Sequence, residues 1–186
     1  MAYDIITIEP TVSDGAHAQG DVLFNPEGFV LPAKAVKLIN VFMEVAAGGG
    51  EDDTKIGILF FQGPEDRTGL TNLGTLNATA DITAANFTTN RFIGQAFVGL
   101  TDGGGNDLDA IDTTALYYMT NASMSTTGNR GTGAADPLIL KGNGRDATAG
   151  TVGRQKDKIY VAGVIQAGAP DFDGTSNVKI HFHIEY

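Results

Sequence analysis

Residues 177–186, Asn-Val-Lys-Ile-His-Phe-His-Ile-Glu-Tyr, alternate apolar and polar side chains without a fault. Val178, Ile180, Phe182, Ile184 and Tyr186 fall on one side of an extended chain, and Lys179, His181, His183 and Glu185 on the other. Successive side chains of a strand point to opposite faces, so this period of two predicts a strand with one buried and one polar face. Residues 156–166 are also β-rich but apolar on both faces, and the turn formers GAPDFDGTSN (168–177) join the two runs.

The rest of the chain repeats the pattern of short apolar runs between loops of Gly, Asp, Asn and Thr. Strands are expected at 3–8, 21–24, 35–46, 54–62, 91–100, 115–120 and 138–140. In the third run Ile39, Val41, Met43 and Val45 share a face. Glycines 48 to 50 with Glu51, Asp52 and Asp53 read as a plain hairpin loop, with 54–62 returning beside 35–46. Residues 81–87 alone look helical, with Asp81 in position to cap them. The expected fold is all-β: one antiparallel β-sandwich over residues 1–186, jelly-roll-like, of eight or nine strands with long Gly/Asp/Thr-rich loops. The longest loops, 101–114 and 123–153, exceed the length of ordinary connections and are of the kind that carries function or orders against a partner.

Charge narrows the function. With 12 Lys and Arg against 22 Asp and Glu, the net charge is −10. Nucleic-acid binding draws on basic side chains that release counterions, so neither nucleic acid nor an anionic membrane surface is an expected partner. The chain has no cysteine, which removes disulfides, thiolate metal sites and a thiol nucleophile. Residues 1–10 lack a basic segment followed by an apolar core, so no secretory signal is expected, and no apolar run reaches membrane-spanning length.

Two motifs have the spacing of metal sites. His181 and His183 form H-x-H on one strand face, with Glu185 in line, an arrangement that resembles the cupin metal motif. In cupins the pair sits on an early strand and is followed by a glutamate and a further histidine; here the other histidine is His17. Asp171 and Asp173 begin a D-x-D-G sequence resembling a calcium loop, but its twelfth position is Phe182, where a bidentate carboxylate belongs. Asp102, Asp107, Asp109 and Asp112 form a second acidic loop without ligand spacing. Turn chemistry and a polar sheet face account for these residues, so no metal or other cofactor is expected. The chain holds no G-x-S-x-G, no phosphate-binding glycine loop between strand and helix, and no nucleophile motif beside a histidine, and it is not expected to be an enzyme.

One charge cluster runs against the acidic background. Lys141, Arg145, Arg154, Lys156 and Lys158 place five basic residues within eighteen positions, against Asp146 and Asp157. They form a candidate docking patch for an acidic protein surface. Both faces of 54–62 and of 159–165 are apolar. This points either to central strands flanked by loops or to a subunit contact, and the second is preferred, giving a homo-oligomer such as a trimer.

The Met-Ala start without a signal, the absence of cysteine, the Gly/Thr/Asn/Ala-rich loops and the terminal strand VKIHFHIEY together resemble the small β-sandwich structural proteins of tailed-phage virions, head decoration (cement) proteins in particular. The resemblance implies a non-enzymatic capsid decoration protein, made in the host cytoplasm. It would sit on the outer surface of the virion and bind the major capsid protein or another virion protein. The alternative is a carbohydrate- or calcium-binding β-sandwich module, weakened by the absence of Trp and a content of five Tyr. A cupin-like metal protein is the third reading.

Overall fold

The computed structural model describes residues 1–46, 54–63, 70–98, 114–123, 138–142, 158–172, 174–175 and 178–186. The perfectly alternating segment forms a strand from Val178 to Glu185 and packs as its pattern requires, except that Tyr186 lies beyond the strand and is exposed. Val178, Ile180, Phe182 and Ile184 are fully buried, while Lys179 is exposed and His181, His183 and Glu185 are half-buried. In chain order the elements are β1 (Tyr3–Ile8), β2 (Gly15–Ala16), β3 (Val22–Val30), β4 (Ala35–Ala46), β5 (Lys55–Phe61), α1 (Ala84–Asn90), β6 (Phe92–Val98), β7 (Thr114–Ser123), β8 (Ile139–Lys141), β9 (Lys158–Ala167), β10 (Asp171–Phe172) and β11 (Val178–Glu185).

The architecture is an all-β antiparallel sandwich. Among the described residues, eight strands follow one hydrogen-bonded path, β1-β11-β4-β7-β6-β5-β9-β3, and a ninth, β8, pairs with β4 beside β7, while β10 and β2 form a small separate ladder. The path folds over at β7, whose first half pairs with β4 and whose second half pairs with β6. Two sheets result: β1-β11-β4-β7 and β3-β9-β5-β6. If the eight long strands are numbered along the chain, these orders are 1-8-3-6 and 2-7-4-5, the interleaving of two Greek keys that defines a jelly roll.

This topology corrects one expectation. β4 and β5 are not hairpin partners; β4 pairs with β11, β7 and β8, whereas β5 pairs with β6 and β9. The chain therefore crosses from one sheet to the other between them. Local turn chemistry allows a hairpin but does not require one when each strand has better partners elsewhere.

Two further expectations fail at register breaks. Ile39 does not share the core face of Val41 and Met43 but is exposed, because a bulge opposite His183 and Ile184 flips the parity of β4. Val36 and Leu38 are buried before it, Val41 and Met43 after it. Likewise β3 does not stop at Phe24. It continues to Val30 through Pro26, with register shifts on both sides of Phe24 that let the strand absorb a residue unable to donate to the ladder.

The core between the sheets includes Phe29, Phe60 and Phe182, with Phe29 stacked on Phe182 at 4.8 Å and Phe60 edge-on to it at 5.7 Å. Gly163 on β9 is required there. A Cβ at that position would lie 2.3 Å from the Phe24 ring, which occupies the space above the glycine.

A second apolar cluster lies on the outer side of the β3-β9-β5-β6 sheet: Val22, Leu59, Phe61, Leu73, Ala162 and Val164. Leu70, Leu76, Ala80 and Phe87 from residues 70–87 pack against it, together with Phe92 and Tyr160. The double-sided apolar pattern of β5 and β9 thus has its cover within the chain, and the argument for a subunit contact drawn from it falls away. Asn90 ties this strap down. Fully buried, it accepts from the Thr71 N–H at 2.9 Å and donates to the Thr71 carbonyl at 2.7 Å.

The helix begins later than expected. Thr83, not Asp81, is its cap, accepting through its side-chain oxygen from the Asn86 N–H at 3.2 Å. Asp81 is instead held outside the helix, its N–H donating to the Leu73 carbonyl. Arg91 ends the helix in the left-handed region at φ 56°.

Candidate functional site

Among the described residues, nothing covers the outer face of the β1-β11-β4 sheet in this way. This face is built on the polar side of β11, and the register sets a neighbour on each flank of His181, His183 and Glu185. His181 lies between Thr7 of β1 and Phe42 of β4, and His183 between Ile5 and Asn40. Glu185 lies between Tyr3 and Lys37, and Lys179 faces Glu44.

Each polar group on this face has a specific partner. A hydrogen bond joins Thr7 Oγ1 and His181 Nδ1 at 2.9 Å, and the other ring nitrogen of His181 lies 3.6 Å from the Glu44 carboxylate. The Tyr3 hydroxyl bonds to His183 Nδ1. The His183 ring packs beside Phe42 at 4.8 Å and Tyr3 at 5.7 Å between centroids. Lys37 pairs with Glu185 at 3.3 Å and Lys179 with Glu9 at 3.6 Å. Burial holds the His183 imidazole below the usual histidine range, and the charge of His181 adds to the effect.

The H-x-H pair is thus spread along a strand face, each histidine bonded through Nδ1 to a hydroxyl of β1. Among the described residues no group of three or more His, Asp or Glu side chains converges as a metal site would require. The arrangement is suited to contact: an apolar and aromatic strip of Tyr3, Ile5 and Phe42 with paired charges around it.

The other sequence candidates are scattered. Asp171 lies exposed on β10, anchored by its buried neighbour Phe172, while Asp173 lies outside the described residues. Of the basic cluster, Lys141 is exposed at the end of β8, and Lys158 is half-buried at the start of β9, its ammonium 5.3 Å from the Tyr160 ring. These two belong to different sheets. Arg145, Arg154 and Lys156, and the acidic loop from Asp102 to Asp112, lie outside the described residues.

Two features escaped the sequence reading. His17 is buried beside Phe172, edge-on at 5.2 Å, with Nε2 at 3.2 Å from the Ser13 carbonyl and, among the described residues, no partner for Nδ1. Its position among turn formers gave no periodic signal of burial. Glu27 borders a depression of about 280 Å³ lined by Thr11, Phe24, Asn25, Pro26 and Leu76, and partial burial raises its carboxyl above the usual range. Pro26 disguised the strand on which it lies.

The fold and this face define an all-β jelly-roll sandwich in which, among the described residues, one sheet is covered on its outer side and the other is not. Comparison of the chain with protein-family models, with curated proteins and with solved structures gives no match. Among the described residues, no helix is long and apolar enough to cross a membrane.

Proposed function

We propose that the protein is a non-enzymatic structural component of a virus particle, a decoration protein that binds the outer head surface and stabilises it through contacts. The observation that carries this reading is the β1-β11-β4 face, which no described residue covers. Its lysine, glutamate and histidine side chains are taken up by one another and by hydroxyls of β1, beside an apolar and aromatic strip with a polar border, the composition of a contact surface. A net charge of −10 suits the outside of a head and is unfavourable beside packaged DNA.

The partner in this reading is the major capsid protein or another virion protein. The basic stretch Lys141, Arg145, Arg154, Lys156 and Lys158 supplies electrostatic attraction to an acidic neighbour. A homo-oligomer, with a trimer as the form considered, now rests on the setting of a repeating lattice alone; light scattering of the free protein reads it directly.

The test is binding to undecorated particles. Charge reversal at Arg154 and Lys156 is expected to weaken binding at low salt more than at high salt, where screening over about 10 Å already removes much of the attraction. Purified protein with no affinity for particles overturns the proposed function. Binding unchanged by the reversal at every salt concentration overturns the basic docking patch.

A further inference from the structure

The strand path has two ends, β1 and β3, and they are finished differently. The β3 edge is guarded several times over. Two register shifts bend it and Pro26 carries no N–H. Residues 76–79 bridge its start, with the Val22 N–H donating to the Ala78 carbonyl and the Asn77 N–H to the Val22 carbonyl. Among the described residues, the β1 edge has none of these. It runs six residues in unbroken register with β11 and contains neither proline nor lysine.

The hydrogen-bond parity of β1 says which groups are free. Ala2 and Tyr186 exchange both backbone bonds, so alternate residues Asp4, Ile6 and Ile8 bond toward β11. The N–H and C=O groups of Tyr3, Ile5 and Thr7 therefore point away from the sheet. The Ile5 N–H donates to the Asp4 carboxylate of its own strand at 2.8 Å, a placeholder that another chain's carbonyl can replace. Tyr3 and Ile5 are 59% and 47% exposed, large apolar surfaces beside an open ladder.

We propose that the β1 edge is a strand-acceptor site. An extended segment of a partner protein pairs there with Tyr3, Ile5 and Thr7, placing a lysine or arginine against Asp4. Charge complementarity selects this occupant. Taking the Ile5 N–H releases the Asp4 carboxylate, which a basic side chain on the incoming strand then meets, and a chain of net charge −10 favours such a strand. A second copy would bring its own Asp4 and its own negative charge to the same edge. The inference depends on the decoration reading only for the source of the strand.

The test uses isotope-labelled full-length protein and a synthetic eight-residue peptide of alternating threonine and valine with one central lysine. Its two controls carry a central glutamate, or prolines at alternate positions. The lysine peptide is expected to shift the amide resonances of residues 3–8. It should also slow hydrogen exchange at Tyr3, Ile5 and Thr7 about tenfold at ten times its Kd. The proline peptide should do neither. Asp4→Asn keeps an acceptor for the Ile5 N–H and removes the charge; it should weaken the lysine peptide roughly two- to fivefold and abolish its advantage over the glutamate peptide. Any of four results overturns the proposal: no shifts on β1, equal binding of the proline peptide, no preference for lysine over glutamate, or exchange at Ile5 that slows as the protein's own concentration rises. The experiment contains no particles, so failure here leaves head-surface binding standing, and absence of particle binding leaves the strand-acceptor edge standing.

Discussion

The two sheets of this sandwich share a core and differ on their outer sides. On β5 the inward Ile56, Ile58 and Phe60 and the outward Leu59 and Phe61 are all buried, because residues 70–87 lie across the outer face. On β11 only the inward set is buried, and the outward set carries histidines, a lysine and a glutamate. The comparison teaches that a doubly apolar strand announces a cover without saying whose. A strictly alternating strand announces an open face, and the only question is what that face meets.

The largest expected effects test the buried side chains of both sheets. Phe182→Ala removes a ring packed on two others in the core and should cost roughly 3–5 kcal/mol in denaturant unfolding. Phe61→Ala, on the outer side of the other sheet, should cost a similar amount because Phe87 and Phe92 pack edge-on against it at 5.8 and 5.7 Å. Lys179→Ala should change stability by less than about 0.5 kcal/mol. A small loss at Phe61 would mean that the strap is not a true cover and would reopen that face as a subunit contact.

A smaller effect isolates the strap itself. Asn90→Ala leaves the Thr71 N–H and carbonyl without their buried partner and should cost about 1–3 kcal/mol. Hydrogen exchange should show the loss concentrated in residues 70–90, with β1 and β11 unaffected. A uniform loss across both sheets would show that the strap and sandwich are one cooperative unit.

The smallest effect belongs to the open face. His183 has its folded pKa lowered, so its neutral form is the one favoured by folding. That contribution is fully present above the unfolded value of about 6.5 and is lost as pH falls through the lowered folded value. Glu27 acts with the opposite sign: its raised pKa gives a contribution that is lost as pH rises through the folded value. Comparing melting temperatures of wild type and His183→Asn between pH 7.5 and pH 5 separates the two. The wild type should lose more on acidification than the variant, and parallel curves would remove His183 from the pH response.

Legibility followed periodicity. The strands at 3–8 and 35–46 have the bounds expected of them, and 54–62, 91–100 and 138–140 lie within two residues of theirs. Period-two patterns are local and survive whatever the tertiary partners are. The faces of β4 were misread because a one-residue bulge is invisible until its partner strand is known, and β3 was truncated because Pro26 ordinarily ends a strand. The candidate face was half legible. The histidine pair and its outward direction follow from alternation, but Tyr3, Thr7, Phe42 and Glu44 reach it from strands more than a hundred residues away in sequence.

By itself, then, the order of side chains determined the all-β class, most of the strands, the inward set of β11 and the absence of any polar side on β5 and β9. Those properties depend on neighbours two residues apart. The tertiary structure alone decided that β4 and β5 part to opposite sheets and that a buried asparagine pins a strap over the second apolar face. It also decided that His181 and His183 are each held by a hydroxyl of β1, and that, among the described residues, one edge is guarded while the other is open. Strand pairing is a competition among distant segments, settled by total burial and hydrogen-bond satisfaction across the molecule, and no local pattern records its outcome.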